Sequence, residues 1–200
     1  MYEATINGAR VVIAESANLF SPRGADRGTL ALLKHVPFEK GVKVLDLGCG
    51  CGIVGIYAAF VCGAENVVMC DIDPAAVAAA RINAAANGLE ICAYVSDGVR
   101  DVPEAGFGLI LTNPPYQSDF SVAKRFIEKG FNRLALGGKM YMVTKRRAWY
   151  ENKLRAVFGG CRVYETDGYF VFEAEKRRTE YGRALPVRHG QCSEICPSDK

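Results

Sequence analysis

The stretch Val44-Leu45-Asp46-Leu47-Gly48-Cys49-Gly50-Cys51-Gly52 constrains this chain more than any other. An apolar run of buried-strand length meets a carboxylate and passes into three glycines at alternate positions, after which Ile53–Val61 reads as a helix. Glycine allows the sharp turn between the two and lets the backbone approach a ligand where a Cβ would intrude. Strand, glycine turn and helix in that order set a binding crevice at the carboxyl end of a strand in an open parallel sheet. A dinucleotide loop spaces its glycines G-x-G-x-x-G and seats a pyrophosphate on the helix N-terminus. Here the spacing is D-x-G-x-G-x-G, and the Asp46 carboxylate repels pyrophosphate while suiting a ligand that carries an ammonium group.

The rest of the chain fits that frame. Val42–Leu47, Asn66–Cys70, Ile91–Val95, Leu109–Thr112 and Lys139–Thr144 read as strands. Thr29–His35, Ile53–Val61, Pro74–Ala86, Phe120–Leu134 and Trp149–Phe158 read as the helices between them. Such alternation implies right-handed crossovers and a mostly parallel sheet covered on both faces, an α/β doubly wound architecture. Asp73 is placed to N-cap the helix that opens at Pro74, and Asn87-Gly88 to stop it. Cys161–Glu165 and Tyr169–Ala174 flank Thr166-Asp167-Gly168, so an antiparallel hairpin is expected to complete a seven-stranded sheet. Two hundred residues, half of them hydrophobic, suit one domain over residues 1–175. Residues 176–200, polar and basic without periodicity, read as a flexible tail.

Carboxylates recur at the strand ends. Asp71 ends the second strand, where it can accept both hydroxyls of a ribose. Asp97, in Ser96-Asp97-Gly98, follows the third and can accept from an adenine amino group. The fourth strand ends in Thr112-Asn113-Pro114-Pro115-Tyr116. Its prolines fix the backbone and remove two N–H donors, leaving carbonyls free to accept. Asn113 Oδ1 and the Pro114 carbonyl can together accept from an sp² NH₂ group and draw electron density onto its nitrogen, making it a nucleophile toward a methyl sulfonium. Tyr116 offers a flat face on which a base or a planar amide can stack.

With these residues in view, the chain resembles the class I S-adenosylmethionine-dependent methyltransferases over roughly residues 15–175. Phe20-Ser21 followed by Asp26-Arg27-Gly28-Thr29 is similar to the entry segment of the small-domain methyltransferases. Gly137-Gly138-Lys139-Met140-Tyr141, with Tyr150, Lys153-Leu154, Phe158-Gly159 and Phe170-Val171, is similar to the C-terminal half of ribosomal-RNA guanine-N2 methyltransferases. The resemblance implies the Rossmann-like methyltransferase fold and S-adenosylmethionine as cofactor, with no metal. It implies cofactor contacts at Asp46, Gly48, Cys49, Gly50 and Gly52, at Asp71 and Ile72, at Asp97 and Gly98, and at Asn113. It implies catalysis by Asn113, Pro114 and Tyr116, with Pro115 and Tyr116 against the substrate, expected to be a guanine amino group of ribosomal RNA. Tyr116 also fits adenine-N6 and release-factor glutamine methyltransferases, and a silent cofactor- or RNA-binding module is the alternative of a different class.

Charge bears on the partner. The first hundred residues hold 8 Lys/Arg against 10 Asp/Glu and the second hundred 17 against 12, so the basic excess lies in the second half. Lys145-Arg146-Arg147, beside Trp149 and Tyr150, reads either as an RNA-binding rim or as a solvated helix start over a core tryptophan. The eight cysteines sit in apolar runs and in the glycine loop, as reduced cytoplasmic thiols do. The longest apolar stretch, Ile53–Ala64, is too short and too glycine-interrupted to span a bilayer. His189, Cys192 and Cys196 lack the fourth ligand of a zinc site. Oligomeric state leaves no mark in the sequence.

Overall fold

The computed structural model describes residues 2–14, 26–115 and 120–179. In chain order the elements are β1 (Tyr2–Ile6), β2 (Ala9–Ile13), α1 (Arg27–His35), β3 (Val44–Leu47), α2 (Ile53–Cys62), β4 (Val67–Asp71), α3 (Pro74–Ala86) and β5 (Cys92–Val95). They continue with β6 (Phe107–Thr112), α4 (Phe120–Arg133), β7 (Leu134–Thr144), α5 (Arg147–Phe158), β8 (Arg162–Thr166) and β9 (Tyr169–Glu175). The expected seven-stranded sheet is present in the order β5-β4-β3-β6-β7-β9-β8. All pairings are parallel except those of β9, which runs antiparallel to both neighbours.

Alternation along the strands sends side chains to two cores. Val44, Val67, Met69, Leu109, Leu111, Tyr141 and Val143 face α1, α2 and α3. Leu45, Leu47, Val68, Cys70, Ile110, Met140 and Met142 face α4 and α5. Burial on both faces explains why these strands read as continuous apolar runs. The chain moves outward from β3 through β4 to β5, then returns to the other side of β3 as β6. That reversal opens a crevice between the carboxyl ends of β3 and β6, where an open sheet takes its ligands.

Local signals are realised where expected. Asp73 Oδ1 accepts from the Ala75 N–H at 2.9 Å, with Pro74 at the helix start. Gly88 ends α3 with φ +69°, and the Leu89 N–H returns to the Ala84 carbonyl at 3.0 Å. Asp167 and Gly168 both have positive φ, as a two-residue hairpin turn requires.

Three features depart from the sequence reading. A hairpin of β1 and β2 about Asn7-Gly8, paired from Tyr2↔Ile13 to Ile6↔Ala9, packs over α2 and α3 and was not expected. β7 begins at Leu134 rather than Lys139, because its register with β6 jumps from Phe107↔Leu134 to Leu109↔Lys139. Gly138 allows the close approach there, since a Cβ would meet the Phe107 carbonyl oxygen at 2.6 Å. The expected flexible tail does not start at Lys176. The Gly137 N–H donates to its carbonyl and its N–H donates to Gly138, both at 2.8 Å. Its buried Nζ donates to the Leu134 carbonyl at 2.8 Å, and Arg178 donates to Val157 at 3.0 Å. Residues from 180 onward, including His189, Cys192 and Cys196, lie outside the described residues. Among the described residues no helix is long and apolar enough to cross a membrane.

Candidate active site

The glycine loop hangs from the end of β4. The N–H groups of Gly48 and Cys49 both donate to the Cys70 carbonyl, at 2.9 and 3.0 Å, and the Gly50 N–H donates to Asp71 Oδ2 at 2.9 Å. The other Asp71 oxygen accepts from the Asp73 N–H at 3.0 Å. One backbone donor on each oxygen fixes the carboxylate and leaves each with further accepting capacity. Gly48, Gly50 and Gly52 all have positive φ, the conformation that the alternate glycines supply.

Asp46 lies behind the loop, 2% exposed. Its Oδ2 accepts from the Gly55 N–H at 2.8 Å. A Cβ on Gly55 would sit 2.6 Å from Met69 Cγ and 3.3 Å from that oxygen, so the bare glycine lets α2 approach the carboxylate. Burial pushes the Asp46 carboxyl up to about 7, against the lowering effect of the Gly55 hydrogen bond and with a further push from the Asp71 charge.

The loops after β3, β4, β5 and β6 enclose a cavity of about 420 Å³. Of the residues expected at the cofactor and substrate, Asp46, Gly48, Cys49, Gly50, Asp71, Ile72, Asp97, Gly98, Asn113 and Pro115 line it. Gly52 does not. It opens α2, and a Cβ there would press on Ala80 at 3.0 Å and Met69 Sδ at 3.2 Å, so its bareness serves the packing of α2 on α3. Pro114 is buried and off the cavity wall, and Tyr116 lies outside the described residues. Lys145, Arg146 and Arg147 also stand off the wall, just past the end of β7. Lys145 Nζ lies 5.0 Å over the Tyr169 ring, the Arg146 guanidinium 5.4 Å over Phe120 and that of Arg147 5.9 Å over Phe170. Trp149 stacks on Phe120 with centroids 4.3 Å apart, at the surface end of a partly buried cluster.

Several lining residues, those of α4 among them, were not among the expected cofactor and substrate contacts. Val122, Arg125 and Phe126 stand at helical spacing on one face of α4 and line the cavity, with the Phe126 ring against Gly48, where a Cβ would meet it at 3.2 Å. Arg125 is ion-paired with Asp97, so the expected adenine acceptor shares its oxygens with a guanidinium. Thr29, in α1, lines the cavity beside Asp26. Asn113 Nδ2 donates to Asp26 Oδ2 at 2.9 Å and to Thr29 Oγ1 at 3.2 Å. The spacing on α4 was legible as a helical stripe; the contacts spanning 87 and 84 residues had no local signal.

Charge and shape together say what fits. Among the described residues the wall carries Asp26, Asp46, Asp71, Asp73 and Asp97 against one cation, Arg125, which favours a positively charged ligand and opposes phosphates. The apolar Ile72 side chain, 65% exposed at the rim, offers a face for a flat base. A Cβ at Gly50 would meet no protein atom within 4 Å, so the bare loop leaves room beside Asp71. A molecule with a sulfonium, an ammonium, a ribose and an adenine matches this donor set.

Comparison with known proteins agrees in kind. The sequence profile of the methyltransferase small domain matches residues 10–173. A curated relative named ribosomal RNA small subunit methyltransferase C, from Pseudomonas putida, is 31% identical over 180 residues, which make up 88% of this chain and 54% of the relative. A T. thermophilus 16S rRNA N2 methyltransferase, solved in complex with AdoMet and guanosine, superposes with a TM-score of 0.82 at 31% identity. The match covers 88% of this chain and 50% of that one. TrmN from Thermus thermophilus superposes at 0.63 with 28% identity, over 74% of this chain and 48% of that one. This chain spans about half the length of these relatives.

Proposed function

Because the chain belongs to the methyltransferase small domain family, we propose that it is an S-adenosylmethionine-dependent N-methyltransferase acting on the exocyclic amino group of an RNA base, guanine N2 of ribosomal RNA. The observation that carries this reading is Asn113. It lines an acid-walled cavity at the switch point of the sheet, with its amide nitrogen turned away onto Asp26 and Thr29. The curated relative's name and the guanosine in the T. thermophilus structure support ribosomal RNA and guanine.

When bound, S-adenosylmethionine supplies an electrophilic methyl on a sulfonium. The chain's residues do the rest. Asp71, held by two backbone donors, accepts from the ribose hydroxyls. Ile72 covers one face of the adenine, and Asp97 divides its oxygens between Arg125 and the adenine amino group. Asp46 faces the ammonium end, and a cation beside it favours its ionised form. Asn113 Oδ1 and the Pro114 carbonyl accept from the substrate NH₂, and Pro115 and Tyr116 border the base. Leu47, Val122 and Phe126 keep water from the transferring group. Lys145, Arg146 and Arg147 face the RNA backbone, and a ribosomal RNA substrate sets this work in the cytoplasm.

The test is methyl transfer from labelled S-adenosylmethionine to deproteinised ribosomal RNA, to small ribosomal subunits and to release factor, each digested to locate the label. Label on guanine N2 that falls about 100-fold or more in Asn113→Ala is the expected result. Label on adenine N6 or on glutamine moves the acceptor, and cofactor binding without transfer to any of the three sinks the reading.

A further inference from the structure

Asp26 stands at the N-cap position of α1 and does not cap it: its side chain makes no hydrogen bond to the first-turn amides. Aspartate there ordinarily accepts from the second or third helical N–H, a contact worth about 1 kcal/mol. Instead its Oδ2 accepts from Asn113 Nδ2 at 2.9 Å, and Thr29 Oγ1, three residues along, accepts from the same nitrogen at 3.2 Å. The carboxylate lies in a close slot, because a Cβ at Gly28 would come within 2.9 Å of that Oδ2 and 3.0 Å of the Tyr169 ring.

We propose that Asp26, with Thr29, is a positioning pair that makes Asn113 a pure acceptor toward the substrate, and so restricts the site to amino groups. This rests on the role given to Asn113 above. The two ends of an asparagine amide are almost the same shape, and a free side chain presents either. An ionised carboxylate only accepts, so the amide end facing Asp26 must be the nitrogen. That nitrogen has two hydrogens, and two acceptors hold them. None remains for the cavity, and Oδ1 is the end left for the substrate. A hydrogen bond to a charged acceptor also polarises the amide and increases the negative charge on Oδ1. A keto group in place of the substrate amino group would set oxygen against oxygen with no hydrogen between them, a buried mismatch that opposes binding.

Two readouts test the pair. In ¹⁵N-labelled protein bound to S-adenosylhomocysteine, the Asn113 side-chain amide pair, identified by its loss in Asn113→Ala, is expected to exchange slowly with solvent. In Asp26→Asn it is expected to lose that protection, and unchanged protection overturns the proposal. Asp26→Asn is also expected to slow single-turnover transfer about 10- to 100-fold while S-adenosylhomocysteine affinity stays within about twofold. Equal losses in affinity and transfer would make Asp26 a cofactor ligand and overturn it. Asp26→Asn combined with Asn113→Asp reverses the polarity of the pair and still leaves an acceptor facing the substrate. The double variant is therefore expected to transfer faster than Asn113→Asp alone, and losses that simply multiply count against the pair. Should the wild type methylate no RNA, the functional reading fails, while the amide-exchange measurement still decides whether Asp26 holds Asn113.

Discussion

Burial sets the protonation of Asp46, and with it a measurable dependence of stability on pH. Its carboxyl is raised to about 7 from an ordinary 3.8, by burial first. The folded chain thus holds this proton more tightly than the unfolded one. The contribution to stability is fully present below about 3.8 and is lost as pH rises through about 7. Asp46→Asn keeps an oxygen for the Gly55 N–H and removes the buried charge. It is expected to stabilise the protein at pH 8, on the order of a few kcal/mol, with the gain shrinking to near nothing by about pH 4. Thermal denaturation across that range checks it, and a gain independent of pH would show that charge is not the cause. A stiff acidic site that costs stability without its ligand is a common trade at binding sites.

Among the elements, the N-terminal hairpin is held by side chains acting as a strand partner. Asn87 Nδ2 donates to the Val12 carbonyl at 2.7 Å and its Oδ1 accepts from the Val12 N–H at 2.9 Å. Asn83, fully buried, accepts from Ala14 at 2.9 Å and donates to the Cys51 carbonyl at 2.9 Å, tying the end of β2 to the glycine loop. Asn87→Ala leaves both Val12 groups unpaired and is expected to cost about 1–3 kcal/mol, read as a lower urea midpoint with the slope unchanged. The signal for this hairpin lies in the sequence. Asn7-Gly8 sits between alternating runs whose inward residues Ala4, Ile6, Val11 and Ile13 are all buried, the strongest short-range hairpin signal there is. The parallel strands were legible because burial on both faces leaves unbroken apolar runs, and α3 because its cap, proline and stop are local. The start of β7 was not, since Ala135–Gly138 carries no strand alternation. The Asn113–Asp26 and Asp97–Arg125 contacts were not either, since side-chain pairing over such distances has no period.

Over the whole molecule, the proposed function assigns the acid-lined cavity to a cationic small ligand and the basic edge beyond β7 to a polyanion. Lys145, Arg146 and Arg147 follow directly on Thr144, at the carboxyl end of a strand parallel to β6 and so on the same side of the sheet as Asn113. Arg147 also pairs with Glu151 at 2.9 Å, which lessens its pull on phosphate. Replacing all three with alanine is expected to weaken RNA binding across sequences and to reduce the slope of log affinity against log salt by about 1 to 2. A filter-binding series in rising salt measures this, and an unchanged slope removes these residues from the interface.

The position of β9 has a consequence for how the chain is made. Among the described residues β8 hydrogen-bonds only to β9, and β9 fills the slot between β8 and β7. During synthesis β8 leaves the ribosome with no strand to join, and β7, with Met140 to Val143 destined for the deepest core, is an open edge until Tyr169–Glu175 follows. An open edge of that kind recruits other chains. Among the described residues, the strand that comes latest in the chain therefore locks the sheet, and a chain stopped before it is a sticky intermediate rather than a smaller version of the fold.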